Sequence, residues 1–117
     1  MYLLERGVDM IVKQKDKPVK SAYGVEFKAL ATGDRIMCTI MRFKKGGKVP
    51  KHKHPAEQVG YVVKGKFKLW INDKEIGVLE PGDSYVIKGN AFHSMEMLED
   101  SEWVDMFSPP RDEYMDK

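Results

Sequence analysis

The sequence predicts an all-β fold, built as a sandwich or barrel of short strands. Its apolar residues fall in short runs, and several runs alternate with polar residues at the period of a half-buried strand. Turn residues separate these runs about every eight to twelve residues. No stretch combines helical periodicity with capping residues. A chain of 117 residues is long enough for one hydrophobic core and too short for two, so we expect a single domain over residues 1–117.

The first third of the chain contains three candidate strand regions. Residues 10–12 are apolar and precede a charged stretch, and residues 20–30 predict one or two short strands around Gly24. Residues 35–43 predict the clearest early strand, because Met37, Thr39 and Met41 alternate with their neighbours. The glycines at 46 and 47 end this run.

Strand patterns are denser after residue 58. The predicted strands are 59–63, 66–71, 75–79, 84–87, 91–97 and 102–107. Asn72 and Asp73 predict one turn, since both tolerate left-handed backbone. Residues 80–83 predict a β-turn with Pro81 at its second position.

Composition excludes several classes of protein. The net charge of +2 gives no reason to expect nucleic acid as a partner. Cys38 is the only cysteine, so no intrachain disulfide can form, and we expect an inert buried thiol in a cytoplasmic protein. Charged residues near the N-terminus argue against a signal peptide, and no apolar run is long enough to span a membrane.

The three histidines predict a metal site. His52 and His54 are one residue apart, so they share a face of an extended chain, and Gln58 has the same parity. His93 lies in a later strand-like run. Imidazole is the commonest metal ligand, and we expect His52, His54, Gln58 and His93 to hold one divalent ion. Lysines flank the first two histidines, so the alternative is a basic surface loop.

At these residues the chain resembles the cupins. Their first motif matches Gly46, the His52–Lys53–His54 triplet and Gly65, and their second motif matches Gly82 and His93. The second motif departs from the pattern at three positions, which are occupied by Lys88, Asn90 and Met97. These positions shape a turn and support packing, so we expect the metal site to survive. The resemblance implies a jelly-roll β-barrel of antiparallel strands over residues 33–108.

The resemblance also implies a carboxylate or amide as the fourth ligand. Glu57 lies three residues after His54 and has the wrong parity, whereas Gln58 lies four residues after it and has the right one. Some cupins use a glutamine in this position, so Gln58 is the predicted ligand and Glu57 the alternative.

The last predicted strand carries a second group of candidate residues. Asp105 and Phe107 share a face, and a carboxylate inside a barrel is costly unless it is paired or useful. Arg111 follows two prolines and could fold over the mouth of the barrel, where its planar fork suits a carboxylate. The alternative is that Asp105 faces solvent and Arg111 is an ordinary tail residue.

The segment from Asp105 to Arg111 resembles small single-domain cupins of pectin and alginate breakdown, which open the ring of 4,5-unsaturated uronic acids. This resemblance implies an enzyme with Asp105 as proton shuttle and with Phe107 and Arg111 at the substrate. The implied cofactor is one divalent transition metal, Zn, Ni, Mn or Fe. A metal-dependent dioxygenase and a non-catalytic small-molecule binder remain alternatives. The resemblance further implies a homodimer, in which the N-terminal strands of residues 1–32 are candidates for exchange and residues 1–12 would pack on the partner.

Overall fold

The computed structural model describes residues 10–116, and ten β-strands form nearly all of their regular structure. The strands are β1 (Lys20–Ala22), β2 (Val25–Thr32), β3 (Met37–Phe43), β4 (Lys48–His52), β5 (Glu57–Lys64), β6 (Phe67–Ile71), β7 (Lys74–Leu79), β8 (Ser84–Ile87), β9 (His93–Met97) and β10 (Ser101–Ser108). Two single turns of 3-10 helix, Gln14–Asp16 and Asp112–Tyr114, flank them. The predicted all-β fold is confirmed.

The strands form two antiparallel sheets of unequal size. The larger sheet has six strands in the order β1-β2-β3-β10-β5-β8, and the smaller has four in the order β4-β9-β6-β7. Consecutive strands β4 and β5 lie in different sheets, as do β8 and β9, so the chain crosses between the sheets as it does in a jelly roll. The predicted jelly-roll barrel is confirmed.

The core lies between the two sheets and follows the alternation of the strands. Strand β10 buries Ser101, Trp103, Asp105 and Phe107, while the residues between them are more exposed. In β6, Phe67 and Leu69 are fully buried. Burying one such apolar side chain stabilises the fold by about 1.5–3 kcal/mol. The inward face of β10 is thus apolar except where Ser101 and Asp105 interrupt it.

Two predicted turns have the backbone that their residues favour. Asn72 and Asp73 both have left-handed φ, at 51° and 66°. In the turn of residues 80–83, the Asp83 amide donates to the Glu80 carbonyl at 2.9 Å, and Gly82 has φ of 93°. That combination, with Pro81 before the glycine, is the pattern of a type II turn.

Three details of the predicted strands differ from the structure. Residues 10–12 form no strand, and the exposed side chains of Met10 and Ile11 show that this apolar run does not pack into the core. Strands β3 and β9 begin two residues later than predicted, at Met37 and His93. Finally, β4 ends at His52, so His54 lies in the connection that precedes β5.

The predicted packing of residues 1–12 on a partner lies largely outside the described residues, which begin at Met10. The thiol of Cys38 is half-buried, and burial is the main cause that raises its pKa. Within residues 10–116, no helix has the length and apolar character needed to cross a membrane.

Candidate metal centre

The three histidines come together at one end of the smaller sheet. His52 ends β4 and His93 begins β9, and the two are cross-strand partners with ring centroids 4.2 Å apart. The ring of His54 lies 5.0 Å from that of His93. One nitrogen from each ring can be chosen so that all three lie within 4.8 Å of one another, which is close enough for one metal ion.

Backbone carbonyls orient all three imidazoles in the same way. In each ring, Nδ1 lies at hydrogen-bonding distance from a carbonyl oxygen two residues away. The contacts are His52 Nδ1 to Pro50 O at 2.8 Å, His54 Nδ1 to Ala56 O at 2.9 Å and His93 Nδ1 to Ala91 O at 2.9 Å. Because a carbonyl can only accept, each neutral ring carries its proton on Nδ1 and keeps the Nε2 lone pair free. Histidines that bind a metal usually have their second ring nitrogen held by a carbonyl or carboxylate in this way.

Gln58 adds an oxygen to the cluster from the other sheet. Its side chain on β5 is buried, whereas Glu57 beside it is exposed. The Gln58 Oε1 atom lies 3.1 Å from His54 Nε2. With the His54 proton on Nδ1, both of these atoms carry lone pairs and no proton lies between them. A cation at this point would satisfy both atoms, so the site fits a metal ion.

Burial lowers the pKa of all three histidines. The effect is largest for His93, whose pKa falls to about 4, chiefly through burial and with smaller contributions from His52 and His54. The pKa values of His52 and His54 are also lowered, chiefly by burial. The three rings are therefore neutral at pH 7, the form that binds a metal.

Asp105 lies inside the barrel, where the sequence placed it only conditionally. Its carboxylate is buried and accepts two hydrogen bonds, from the Tyr85 hydroxyl at 2.5 Å and from Trp103 Nε1 at 2.9 Å. Burial raises the pKa of Asp105 to about 6, although these donors oppose the rise. A carboxyl with such a pKa can both take up and release a proton near neutral pH.

A chain of hydrogen bonds joins this carboxylate to the histidine cluster. Tyr85 donates its only hydroxyl proton to Asp105, so its oxygen accepts from the Gln58 Nε2 group at 3.3 Å. That contact turns the Gln58 amide so that Oε1 faces His54. Asp105 thereby orients an amide oxygen toward the histidines through Tyr85.

Arg111 packs beside this site and lines the same cavity as Asp105. Its guanidinium lies 5.0 Å from the ring centroid of Phe107 and 4.0 Å from that of Tyr114. Only 9% of Arg111 is exposed, and its Nε atom is buried with no hydrogen-bond partner among the described residues. Its Nη2 atom contacts Glu113 at 3.3 Å. An unpartnered buried donor is costly, and an anionic ligand would supply the missing acceptor.

One small cavity brings the predicted site residues together. Its volume is about 40 Å³, and its walls include His52, Gln58, His93, Asp105, Phe107 and Arg111. His54 does not line it but contacts Phe107 edge-on, with ring centroids 5.6 Å apart. The alternatives of a basic surface loop and a solvent-facing Asp105 are wrong, because His54, His93 and Asp105 are buried.

Sequence reasoning missed several residues of the site. Trp103 shares the parity of Asp105, and Tyr85 shares that of Ile87, so alternation could have placed both inside. Tyr23 and Tyr114 also line the cavity. They come from a turn and from the segment after the last strand, where no periodic pattern applies.

The departures from the second motif leave the site intact. Asn90 occupies the position of a motif glycine and has the left-handed φ of 63° that such a position requires. Its amide donates to the His54 carbonyl at 2.8 Å, which ties the second motif to the first. Asparagine is one of the few residues that adopt this backbone at little cost.

Comparisons with known proteins agree with this architecture. A family model described as Cupin domain matches residues 39–107. The pectin degradation protein KdgF of Dickeya dadantii (strain 3937) is 33% identical over 94 residues, which cover 79% of this chain and 84% of that protein.

Solved structures show the same fold. The structure of KdgF from Halomonas sp. superposes with a TM-score of 0.82 at 28% identity, covering 92% of this chain and 99% of the other. An RmlC-like cupin from Shewanella frigidimarina NCIMB 400 gives a TM-score of 0.83 at 24% identity, with 92% and 96% of the two chains covered.

Proposed function

Because the chain belongs to the Cupin domain family, we propose that it is a metal-dependent enzyme that opens the ring of 4,5-unsaturated uronic acids. The observation that carries this proposal is the placement of Asp105. Its buried carboxylate lines the same cavity as His52, His93 and Arg111. The similarity to KdgF, a protein named for pectin degradation, supports a substrate derived from pectin.

In this proposal His52, His54, Gln58 and His93 hold one divalent ion. Four neutral ligands leave the ion its full positive charge, and such a donor set accepts Zn, Ni, Mn or Fe. When bound, the ion supplies Lewis acidity toward an oxygen of the substrate.

The residues around the ion bind the substrate and transfer protons. Arg111 binds the substrate carboxylate, and its unpartnered Nε atom gains an acceptor. Phe107 supports the guanidinium from one side. Asp105 takes the proton of the anomeric hydroxyl as the bond between C1 and the ring oxygen breaks, which leaves an aldehyde at C1 and an enolate at C4–C5, and it returns that proton to C4 as the enolate becomes a ketone. The reaction is an isomerisation, so Asp105 ends in its starting state.

Incubation of the metal-loaded protein with 4,5-unsaturated galacturonate tests the proposal. We expect the absorbance of the conjugated double bond to decay faster than in buffer with the free metal. An unchanged decay rate with full metal occupancy would rule out this substrate.

Asp105→Asn tests the assigned role. We expect turnover to fall by about 10²-fold or more, because the general acid–base group is lost, while metal content stays unchanged. Loss of metal from this variant would show that Asp105 is a structural support for the ligands instead.

Two further measurements distinguish the alternative functions. Oxygen uptake by the iron- or manganese-loaded protein would indicate a dioxygenase. Saturable binding of a uronate without any product would indicate a binding protein.

We also propose that the protein is a homodimer. The outer face of the larger sheet exposes several apolar side chains, among them Val59, Tyr61 and Val86. Surfaces of this kind commonly mark interaction sites. Sedimentation equilibrium measures the mass directly, and a mass near the 13.5 kDa of one chain would contradict the proposal.

A further inference from the structure

A strained turn places an aromatic ring at the mouth of the cavity. Tyr23 and Gly24 form the two-residue turn of the β1–β2 hairpin, since Ala22 pairs directly with Val25. Their φ angles are 55° and 84°, the two positive values that a type I′ turn requires. Asparagine or glycine is favoured at the first position, and a bulky tyrosine there is strained.

This turn places the ring of Tyr23 against the histidine cluster. Its centroid lies 4.7 Å from that of His52, with 35° between the ring planes. The side chain is 51% exposed, and its hydroxyl makes no hydrogen bond within residues 10–116. Tyr23 therefore contributes little to the core, while it lines the same cavity as His52, His93 and Arg111. Strain retained without a packing benefit points to a functional role.

The size of the cavity shows what this ring does. The volume of about 40 Å³ has room for roughly three water molecules. Pockets for small organic ligands are on the order of 300 Å³ or larger. A sugar acid therefore needs additional room where the cavity opens to solvent. Tyr23 is the exposed side chain at this opening, and its ring contacts that of His52.

We propose that Tyr23 limits the size of the ligand that can enter the cavity. Its ring narrows the opening, so that a single sugar ring reaches the histidine cluster and a longer sugar chain does not. The sugar in this statement rests on the proposed function, whereas the size limit itself does not. Replacement of the ring by a small side chain should admit larger ligands.

The experiment compares wild type with Tyr23→Asn, a residue that suits the turn and removes the ring. With metal-loaded protein, calorimetry measures the affinity for galacturonate and for digalacturonate. We expect the ratio of the two dissociation constants to shift by about tenfold in favour of the disaccharide, which corresponds to about 1.4 kcal/mol. An unchanged ratio would overturn the size limit.

A second readout needs no sugar at all. EDTA and the smaller oxalate are used to strip the metal, and the rates are compared between the two proteins. We expect removal by EDTA to accelerate about tenfold in Tyr23→Asn and removal by oxalate much less. Equal acceleration by both chelators, or none, would overturn the proposal. If wild type binds no uronate, the substrate proposal fails and the chelator rates still decide the role of Tyr23.

Two control variants separate the effect of the ring from other effects. Tyr23→Phe keeps the bulk of the ring, so it should discriminate between the two chelators as wild type does, and loss of discrimination would contradict the size argument. Ser21→Ala changes an exposed residue on the same hairpin and should match wild type in every readout.

The thermal midpoint tests the strain separately. Tyr23→Asn should unfold at a temperature about 3 °C higher than wild type, because a strained residue leaves the turn. A lower midpoint would show that the contacts of the ring stabilise the fold by more than the strained turn costs, and would contradict the inference that Tyr23 contributes little to stability.

Discussion

At the scale of single residues, the site is organised around one buried carboxylate. Asp105 is 3% exposed and would be costly to ionise without partners. Tyr85 and Trp103 each donate a hydrogen bond to this carboxylate, and the Tyr85 oxygen in turn accepts a hydrogen bond from the Gln58 amide. Alternation along β10 predicted that Asp105 and Phe107 share a face. It could not identify Tyr85, because that contact joins residues 20 positions apart in sequence.

The raised pKa of Asp105 predicts how the stability of the metal-free protein depends on pH. Its pKa is about 6 when folded and 3.8 in the reference state, so the folded protein binds the extra proton between these values. Stability must then fall as pH rises through this window. The free energy of unfolding of wild type minus that of Asp105→Asn should decrease by about 3 kcal/mol between pH 3.5 and 7.

Urea titrations of both metal-free proteins across this range provide the measurement. The histidines titrate in both proteins, so their contribution cancels in the difference. A flat difference would mean that the folded protein does not disfavour the carboxylate of Asp105.

Gln58 and Glu57 offer a matched pair of neighbouring variants. Gln58→Ala removes the buried amide oxygen that faces His54, so metal affinity should fall by about tenfold or more. Glu57→Ala changes an exposed side chain and should leave the affinity as it was. Metal titrations in competition with a chromophoric chelator measure both constants, and a larger loss from Glu57→Ala would assign the fourth ligand to the carboxylate instead.

At the scale of strands, β5 and β8 depend on a close approach between a glycine and an aromatic ring. Gly60 is buried on β5, and its cross-strand partner on β8 is Tyr85. A Cβ atom at residue 60 would collide with the ring and hydroxyl of Tyr85. The absence of a side chain at this position therefore allows Tyr85 to reach Asp105.

Gly60→Ala should destabilise the protein and disturb the site together. We expect a loss of about 1–3 kcal/mol in the free energy of unfolding, since overpacking forces the ring of Tyr85 aside. Turnover should fall more than metal content does, because Asp105 loses a donor. Gly33→Ala is the control, as its nearest neighbour would be the Ile36 carbonyl oxygen at an ordinary 3.7 Å. Equal stability of the two variants would contradict the close approach.

At the scale of the whole molecule, the proposed metal centre joins the two sheets. His52 and His93 belong to the smaller sheet, and Gln58 lies on β5 of the larger one. His54 lies in the connection between β4 and β5. An ion bound by all four side chains would therefore cross-link the sheets in the folded state alone.

Metal binding should accordingly stabilise the fold. At a free metal concentration of 100 times Kd, the free energy of unfolding should rise by about 2.7 kcal/mol. Thermal unfolding with and without metal provides the measurement. His52→Ala should remain folded, because its ring is only half-buried, and should lose the metal-dependent increase. A metal-dependent increase that persists in this variant would place the ion elsewhere.

Alternation and turn residues, both local properties, were sufficient for the all-β class and for most strands from β2 to β10. The same parity placed His52, Gln58 and Asp105 on inward faces. His54 does lie beside the other two histidines, but parity is not the reason, since this residue lies past the end of β4 and its ring is held by a hydrogen bond to the Ala56 carbonyl.

The sequence by itself determined the fold class, the histidine cluster and the inward side of β10, because strand periodicity and motif spacing are properties of a short stretch of chain. The tertiary structure alone decided the hydrogen-bond chain from Asp105 through Tyr85 to Gln58, and the packing of Tyr23 on His52. These contacts join a strand or turn to another one distant in sequence. They depend on the register between strands and on the strained turn after β1, and neither is encoded in a local pattern of residue types.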